Sequence, residues 1–224
     1  MKLSKFGFMQ GRLVGSENKK YYQFFPENTW RKEFSLAKKT KLYIIELTAN
    51  LINLKKNPVY NSKLKRIYNF EKKKNFLKID SLTCDFFMEK PFFKLDRKEC
   101  LIAKKTLEQT ILISKRIGIK KFIVPLVDNS SVKNYNEESK IIKYFNSIKF
   151  KKILSNNTQI LFESDYMPNK LQKFIKKFNN KNFGINYDSG NSASLNYKFE
   201  EEKKYFKYVK NIHIKDRITG GSTV

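Results

Sequence analysis

The sequence is poor in the residues that staple small proteins. Its two cysteines, Cys84 and Cys100, are too few for a disulfide framework or a Cys-based zinc site. Histidine occurs once, at position 213. Glycine (8) and proline (5) are sparse, and no linker or low-complexity tract interrupts the chain. Neither G-x-G-x-x-G nor G-x-x-x-x-G-K-[ST] is present, so a glycine-rich phosphate loop is not expected. No apolar run approaches the roughly 18–20 residues that span a bilayer. The first residues, Met1 to Phe6, lack the apolar stretch of a secretory signal, and Gln10 and Arg12 break the short apolar run at Phe6 to Met9. These absences point to a reduced, cytoplasmic chain with no membrane partner.

Acidic residues are also scarce: 21 against 47 Lys+Arg, a net charge of +26. Such a charge invites a nucleic-acid reading. Three features weigh against it. Only six of the cations are Arg, the usual reader of phosphates and base edges. The lysines are spread along the chain without forming one basic stripe. The chain has only four Ala while Asn, Ile, Phe and Tyr abound, the mark of a compositional drift acting on all positions. The lysines are therefore read as a solvated surface. No specific nucleic-acid partner is expected, only weak adhesion to acidic polymers at low salt.

What is present is a regular alternation. With 224 residues, 40% of them hydrophobic, the chain can bury a sizeable core. Short apolar β-type runs occur at Phe6–Met9, Leu42–Leu47, Ile79–Asp85, Phe122–Leu126, Ile160–Glu163, Phe183–Asp188 and Val209–Ile214. Between them lie stretches with helical spacing: Trp30, Phe34 and Ala37; Leu64 and Ile67; Cys100, Ala103, Leu107 and Ile111; Ile141, Phe145 and Ile148; Leu171, Phe174, Ile175 and Phe178; and a short helix near Phe199 to Tyr208. Asp96 and Glu99 have the spacing of a capping box, and Gly118 marks the end of the helix they open. Strict β-then-α alternation with brief, continuously apolar strands predicts a parallel sheet wrapped by helices. Seven such units match the pitch of a (β/α)8 TIM barrel, which typically needs about 250 residues. The expectation is α/β: a single domain over 1–224, an incomplete barrel of about seven strands with the eighth missing.

Polar residues recur where these strands finish: Gln10 and Arg12, Glu46, Asp85, Asp128, Glu163 and Asp165, Asp188, then His213 with Lys215, Asp216 and Arg217. In a barrel those ends converge on one face. A single acid at a strand end is commonly a helix N-cap, and that reading is kept for Asp128 and Asp165. The last three strands supply a Glu, an Asp and a His. Glu163, Asp188 and His213 form a mixed O/O/N set suited to Mn²⁺, Mg²⁺, Co²⁺ or Zn²⁺. Ile212 and Ile214 flank His213, so the pleat turns the imidazole to the opposite face from them.

The chain resembles the xylose isomerase-like TIM barrels of the sugar phosphate isomerase/epimerase family. The resemblance rests on Gly7-Phe8-Met9-Gln10-Gly11-Arg12-Leu13 with Phe25-Pro26 and Trp30-Arg31-Lys32-Glu33-Phe34; on Ser81-Leu82-Thr83-Cys84-Asp85-Phe86-Phe87-Met88; on Leu161-Phe162-Glu163 with Tyr187-Asp188-Ser189-Gly190-Asn191; and on Ile212-His213-Ile214-Lys215-Asp216-Arg217. No piece is specific alone, but their order and spacing cover essentially the whole chain.

The resemblance implies a divalent metal held by Glu163, Asp188, His213 and a final Glu. It implies Glu163 as a catalytic proton-transfer group acting beside the carbonyl of a sugar or sugar phosphate, through an enediolate. It implies Arg217 on a substrate hydroxyl or phosphate. Glu46, Asp85 and Gln10, at strand ends on the same face, are further substrate-site candidates, with packing or capping as the competing role for Glu46 and Asp85. Ketose 3-epimerases, aldose–ketose isomerases and a cyclitol dehydratase share this pattern. The departure lies at Gly220-Gly221-Ser222-Thr223-Val224, where the family continues into an eighth strand and its ligand Glu. The expectation is reduced or lost activity, or completion by a second copy or a separate chain. Two rival readings stand beside it. An abasic-site endonuclease is favoured by the charge but opposed by the single histidine. The other is a non-catalytic scaffold left by the barrel.

Overall fold

The computed structural model describes residues 6–15, 24–52, 54–154, 157–178 and 180–221. Met1 to Lys5, where a leader was sought, and Ser222 to Val224 lie outside the described residues. Seven strands form one all-parallel sheet in sequence order: β1 (Phe8–Met9), β2 (Ile44–Thr48), β3 (Lys78–Thr83), β4 (Lys121–Leu126), β5 (Gln159–Ser164), β6 (Phe183–Asp188) and β7 (Val209–His213). The helices between them are α1 (Trp30–Lys39), α2 (Ser62–Lys74), α3 (Phe86–Glu89), α4 (Arg97–Lys115), α5 (Tyr135–Phe145), α6 (Ile148–Lys151), α7 (Pro168–Lys176), α8 (Ser189–Ser194) and α9 (Phe199–Glu202). The sheet curls into an incomplete TIM barrel. Among the described strands β1 and β7 do not pair, and a cleft of about 910 Å³ opens between them, lined in part by Phe8, Glu46, Asn211 and His213.

The strand alternation decides what faces where. Phe122, Val124 and Leu126 of β4, Ile160 and Phe162 of β5, and Phe183 and Ile185 of β6 point outward into a core shared with the helices. That core is largely aromatic. Phe145 meets Phe150 at 4.8 Å and Phe162 at 5.2 Å between ring centroids, and Phe178 meets Phe183 at 5.0 Å. The opposite face of β2, β5, β6 and β7 carries Glu46, Glu163, Asn186, Asp188, Asn211 and His213. Outward-facing Ile212 of β7 is 59% exposed.

Several expectations are refined. The first strand is two residues long, beginning at Phe8 and not at Phe6, and Gly11 (φ +92°) lies in the turn that follows it. Asp96 caps α4 by accepting from Glu99 N at 2.9 Å. The Glu99 carboxylate bonds Lys90 at 2.8 Å, so the capping box is half made. Helix α4 ends at Lys115, and Gly118 (φ +96°) lies in the turn beyond it. The pattern Ile141, Phe145, Ile148 belongs to two helices. Ser147 breaks the run and caps α6 by accepting from Phe150 N, which buries Phe150 and leaves Ile148 77% exposed. The segment up to Tyr208 is α9 followed by a 3-10 helix.

Glu33 ties α1 to the turn after β1. Its Oε1 accepts from Gly11 N at 2.7 Å and Leu13 N at 3.2 Å, while Oε2 is buried without a hydrogen-bond partner. A Cβ at residue 11 would sit 2.7 Å from Phe24 O, so glycine is needed there on two counts. Burial, outweighing the backbone donors, pushes the Glu33 carboxyl up to about 7. The folded state thus holds a proton that the unfolded chain releases near its ordinary value, so stability falls as pH rises between about 4.5 and 7. The full cost above that window is about 3 kcal/mol. Glu33→Gln is expected to be more stable than wild type at pH 8 and no more stable at pH 5, by chemical denaturation. Parallel pH profiles for the two proteins would refute this.

Candidate metal centre

Asp188 ends β6 and His213 ends β7, and the two are register partners. Glu163 lies one residue from the end of β5. All three are buried, and each offers a ligand atom within 4.8 Å of the others. Nδ1 of His213 lies 3.2 Å from Glu163 Oε2 and 3.7 Å from Asp188 Oδ2. At Asp188 the two carboxylate oxygens face different ways. Its Oδ1 caps α8, accepting from Asn191 N at 3.0 Å, while Oδ2 faces the cluster.

Three asparagines fix the acids. Asn186 Nδ2 donates to Glu163 Oε2 at 2.7 Å and lies 3.0 Å from His213 Nδ1. Asn191 Nδ2 donates to Glu163 Oε1 at 3.0 Å. Asn211 Nδ2 donates to Asn186 Oδ1 at 2.8 Å and to Glu46 Oε2 at 3.2 Å. Sequence reasoning gave these asparagines no role. The available signal was their position: Asn186 and Asn211 each stand two residues before a ligand candidate on a strand, hence on the same face.

The other expected site residues surround this cluster. Glu46 is buried on β2, and its Oε1 lies 2.7 Å from His213 Nε2. Gln10 is buried, its Oε1 accepting from Thr48 N at 3.3 Å. Asp85 is buried at the start of α3 and accepts from Asn50 at 3.5 Å. Arg217 is half-buried and donates to Asn191 Oδ1 at 3.2 Å. Lys215 Nζ stands 2.6 Å from Asp188 Oδ2. Gly190 permits this: a Cβ there would lie 2.9 Å from Lys215 Cβ.

Burial opposes the charges of Glu46, Asp188, His213 and Lys215, and attraction between neighbours overrides it. Glu46 stays below the usual carboxylate range because His213, helped by Thr83 and Ser81, outweighs its burial. Asp188 is likewise lowered despite burial, by His213 and Lys215. His213 is raised well above its ordinary value against burial, chiefly by Glu46 and then by Asp188 and Glu163. Glu163 and Asp188 raise Lys215 against its burial.

The donor set fits a divalent cation. Asp188 Oδ2 is buried without a well-formed hydrogen bond, close as Lys215 comes. Among the groups in contact, three carboxylates face one ammonium. With a neutral imidazole the acids next to His213 outnumber the one ammonium in contact with them, an excess that a cation offsets. Without an ion, protonation of His213 supplies part of that charge.

No family model matches the chain, and no curated protein is found as a relative. Solved structures are similar in fold. A xylose isomerase domain protein from Planctomyces limnophilus aligns over 94% of this chain and 73% of its own, with TM-score 0.69 and 13% identity. D-Psicose 3-epimerase from Clostridium cellulolyticum H10, solved with D-tagatose, aligns over 84% and 68%, with TM-score 0.65 and 11% identity. The IolI protein with a bound zinc atom aligns over 83% and 67%, with TM-score 0.59 and 18% identity. At these identities the likeness establishes a shared fold and no more. No helix among the described residues is long and apolar enough to cross a membrane.

A cation at this centre competes with the Nδ1 proton of His213, so binding is expected to tighten with rising pH and to release a proton. Zn²⁺ titration calorimetry at pH 6 and 8, in two buffers of different ionisation enthalpy, measures both. Affinity independent of pH, with no proton released, would refute this. By linkage, paired imidazolium stabilises the metal-free fold fully below about 6.5, the unfolded value, and that contribution is lost as pH rises through the raised folded value.

Proposed function

We propose that this chain is a divalent-cation-dependent isomerase or epimerase of sugars or sugar phosphates, working through an enediolate. The observation that carries the reading is the convergence of Glu163, Asp188 and His213 at consecutive strand ends, beside a cleft large enough for a hexose. The fold shared with sugar epimerases, and with a zinc-bearing protein, supports it.

Bound by these three residues, the cation supplies Lewis-acid polarisation of a substrate carbonyl. The rest falls to side chains. Glu163 is the proton-transfer group, abstracting from the carbon next to the carbonyl. Its two oxygens are each held by an amide, Asn186 and Asn191, so the carboxylate keeps one orientation. Asp188 is fixed from one side by its capping bond and from the other by Lys215. Arg217, half-buried and anchored through Asn191, is the residue assigned to a substrate hydroxyl or phosphate, which a guanidinium fork suits.

Incubation with Mn²⁺ and a panel of ketoses and ketose phosphates in heavy water tests the proposal. Wild type should exchange the proton next to the carbonyl. Glu163→Gln should lose at least about 100-fold of that exchange, while Arg217→Ala should raise KM more than it lowers kcat. Equal exchange by Glu163→Gln and wild type removes Glu163 from the chemistry. No exchange by wild type with any substrate rejects the proposed reaction.

A further inference from the structure

We infer that Glu46 is a positioning residue which decides that His213 meets the cation through Nδ1. The inference rests on the metal-dependent reading above and extends it to Glu46 of β2, which meets His213 at the ring nitrogen turned away from Glu163 and Asp188. The juxtaposition is specific. Nε2 of His213 lies 2.7 Å from Glu46 Oε1, while Nδ1 faces Glu163 and Asp188. The two ring nitrogens thus look in opposite directions, one toward the proposed ion and one toward β2.

The hydrogen-bond chain fixes which nitrogen carries the permanent proton. Glu163 is a carboxylate and accepts, so Asn186 presents its Nδ2 to it and its Oδ1 elsewhere. Asn211 therefore donates Nδ2 to Asn186 Oδ1, and with the same group donates to Glu46 Oε2. Thr83 Oγ1 donates to Glu46 Oε1 at 2.5 Å. Glu46 accepts at both oxygens and has only acceptor capacity to offer His213. Nε2 must then be the donor, which leaves the Nδ1 lone pair for the cation. An acid that fixes the tautomer of a ligating imidazole is worth about 10–100-fold in metal affinity where such contacts have been removed.

Glu46→Gln is an informative change because the new amide cannot accept on both sides. Asn211 donates at the Oε2 position, so the glutamine oxygen belongs there and its nitrogen faces His213. The imidazole must then accept at Nε2 and carry its proton on Nδ1, where the cation should bind. A single histidine makes this measurable: ¹⁵N-histidine labelling gives a spectrum of His213 alone.

The test is long-range ¹H–¹⁵N spectroscopy of the labelled protein with and without Zn²⁺, together with Zn²⁺ titration calorimetry. The expected result is a protonated Nε2 and a zinc-shifted Nδ1 in wild type, and at least a tenfold weaker Zn²⁺ affinity in Glu46→Gln. If the variant does not fold, the wild-type spectrum decides alone. Zinc on Nε2 in wild type overturns the inference. So does a folded Glu46→Gln that binds Zn²⁺ as tightly as wild type with the same tautomer. If wild type binds no Zn²⁺, the metal-dependent reading itself fails, and the inference with it.

Discussion

The contact between Glu46 and His213 joins parts of the chain 167 residues apart, and much of the architecture turns on it. Among the described residues strands β1 and β7 are the edges of the sheet and do not pair with each other, so backbone hydrogen bonds between them do not close its curl. Side chains bridge it instead: Glu46 of β2 reaches His213 and Asn211 of β7. The bridge is buried and charged, and such a pair is stable only if every remaining lone pair and proton is satisfied. Thr83 and the asparagines meet that demand on one side of the ring. On the other, Glu163 and Asp188 leave an excess of negative charge that calls for a cation. The same electrostatics that hold the edge strand in place thus define the candidate centre.

The cost of gathering these groups is met by the layer outside them. The outward-facing residues of β4, β5 and β6 join a continuous aromatic core, with Phe145, Phe162, Phe178 and Phe183 in mutual contact. Aromatic packing of this kind holds strands rigidly enough that polar groups on their other face keep fixed distances. Where the outer layer thins, as beyond β7, Ile212 and Ile214 stand exposed. The exposed side chains lie beside the cleft between the two edge strands, and the fold meets solvent there with its least protected strand.

Much of this was legible in the residues. Seven strands and their order could be read from short apolar runs separated by helical periodicity, because strands buried on both faces must be continuously apolar. The pleat also placed His213 opposite Ile212 and Ile214, as found. Boundaries were less legible. Strand β1 begins two residues later than its apolar run, and Ser147 splits the helical pattern that reaches Ile148, since a capping serine competes with helix continuation. The three candidate ligands could be named, but the asparagines that orient them could not. In an asparagine-rich chain their type carries no signal, and only their two-residue offset from Asp188 and His213 does. Glu46 was placed at the right face, yet its partner lies almost at the other end of the sequence. No local pattern encodes that pairing; it depends on the curvature of the whole sheet.

The central claim is that the charge gathered at these strand ends is balanced by a divalent ion. Crystals grown with Zn²⁺ and measured at the zinc absorption edge address it most directly. The account predicts one strong anomalous peak bounded by Glu163, Asp188 and Nδ1 of His213, with Glu46 still on Nε2. A zinc-saturated crystal with no peak there, or with His213 turned away from both acids, would contradict it.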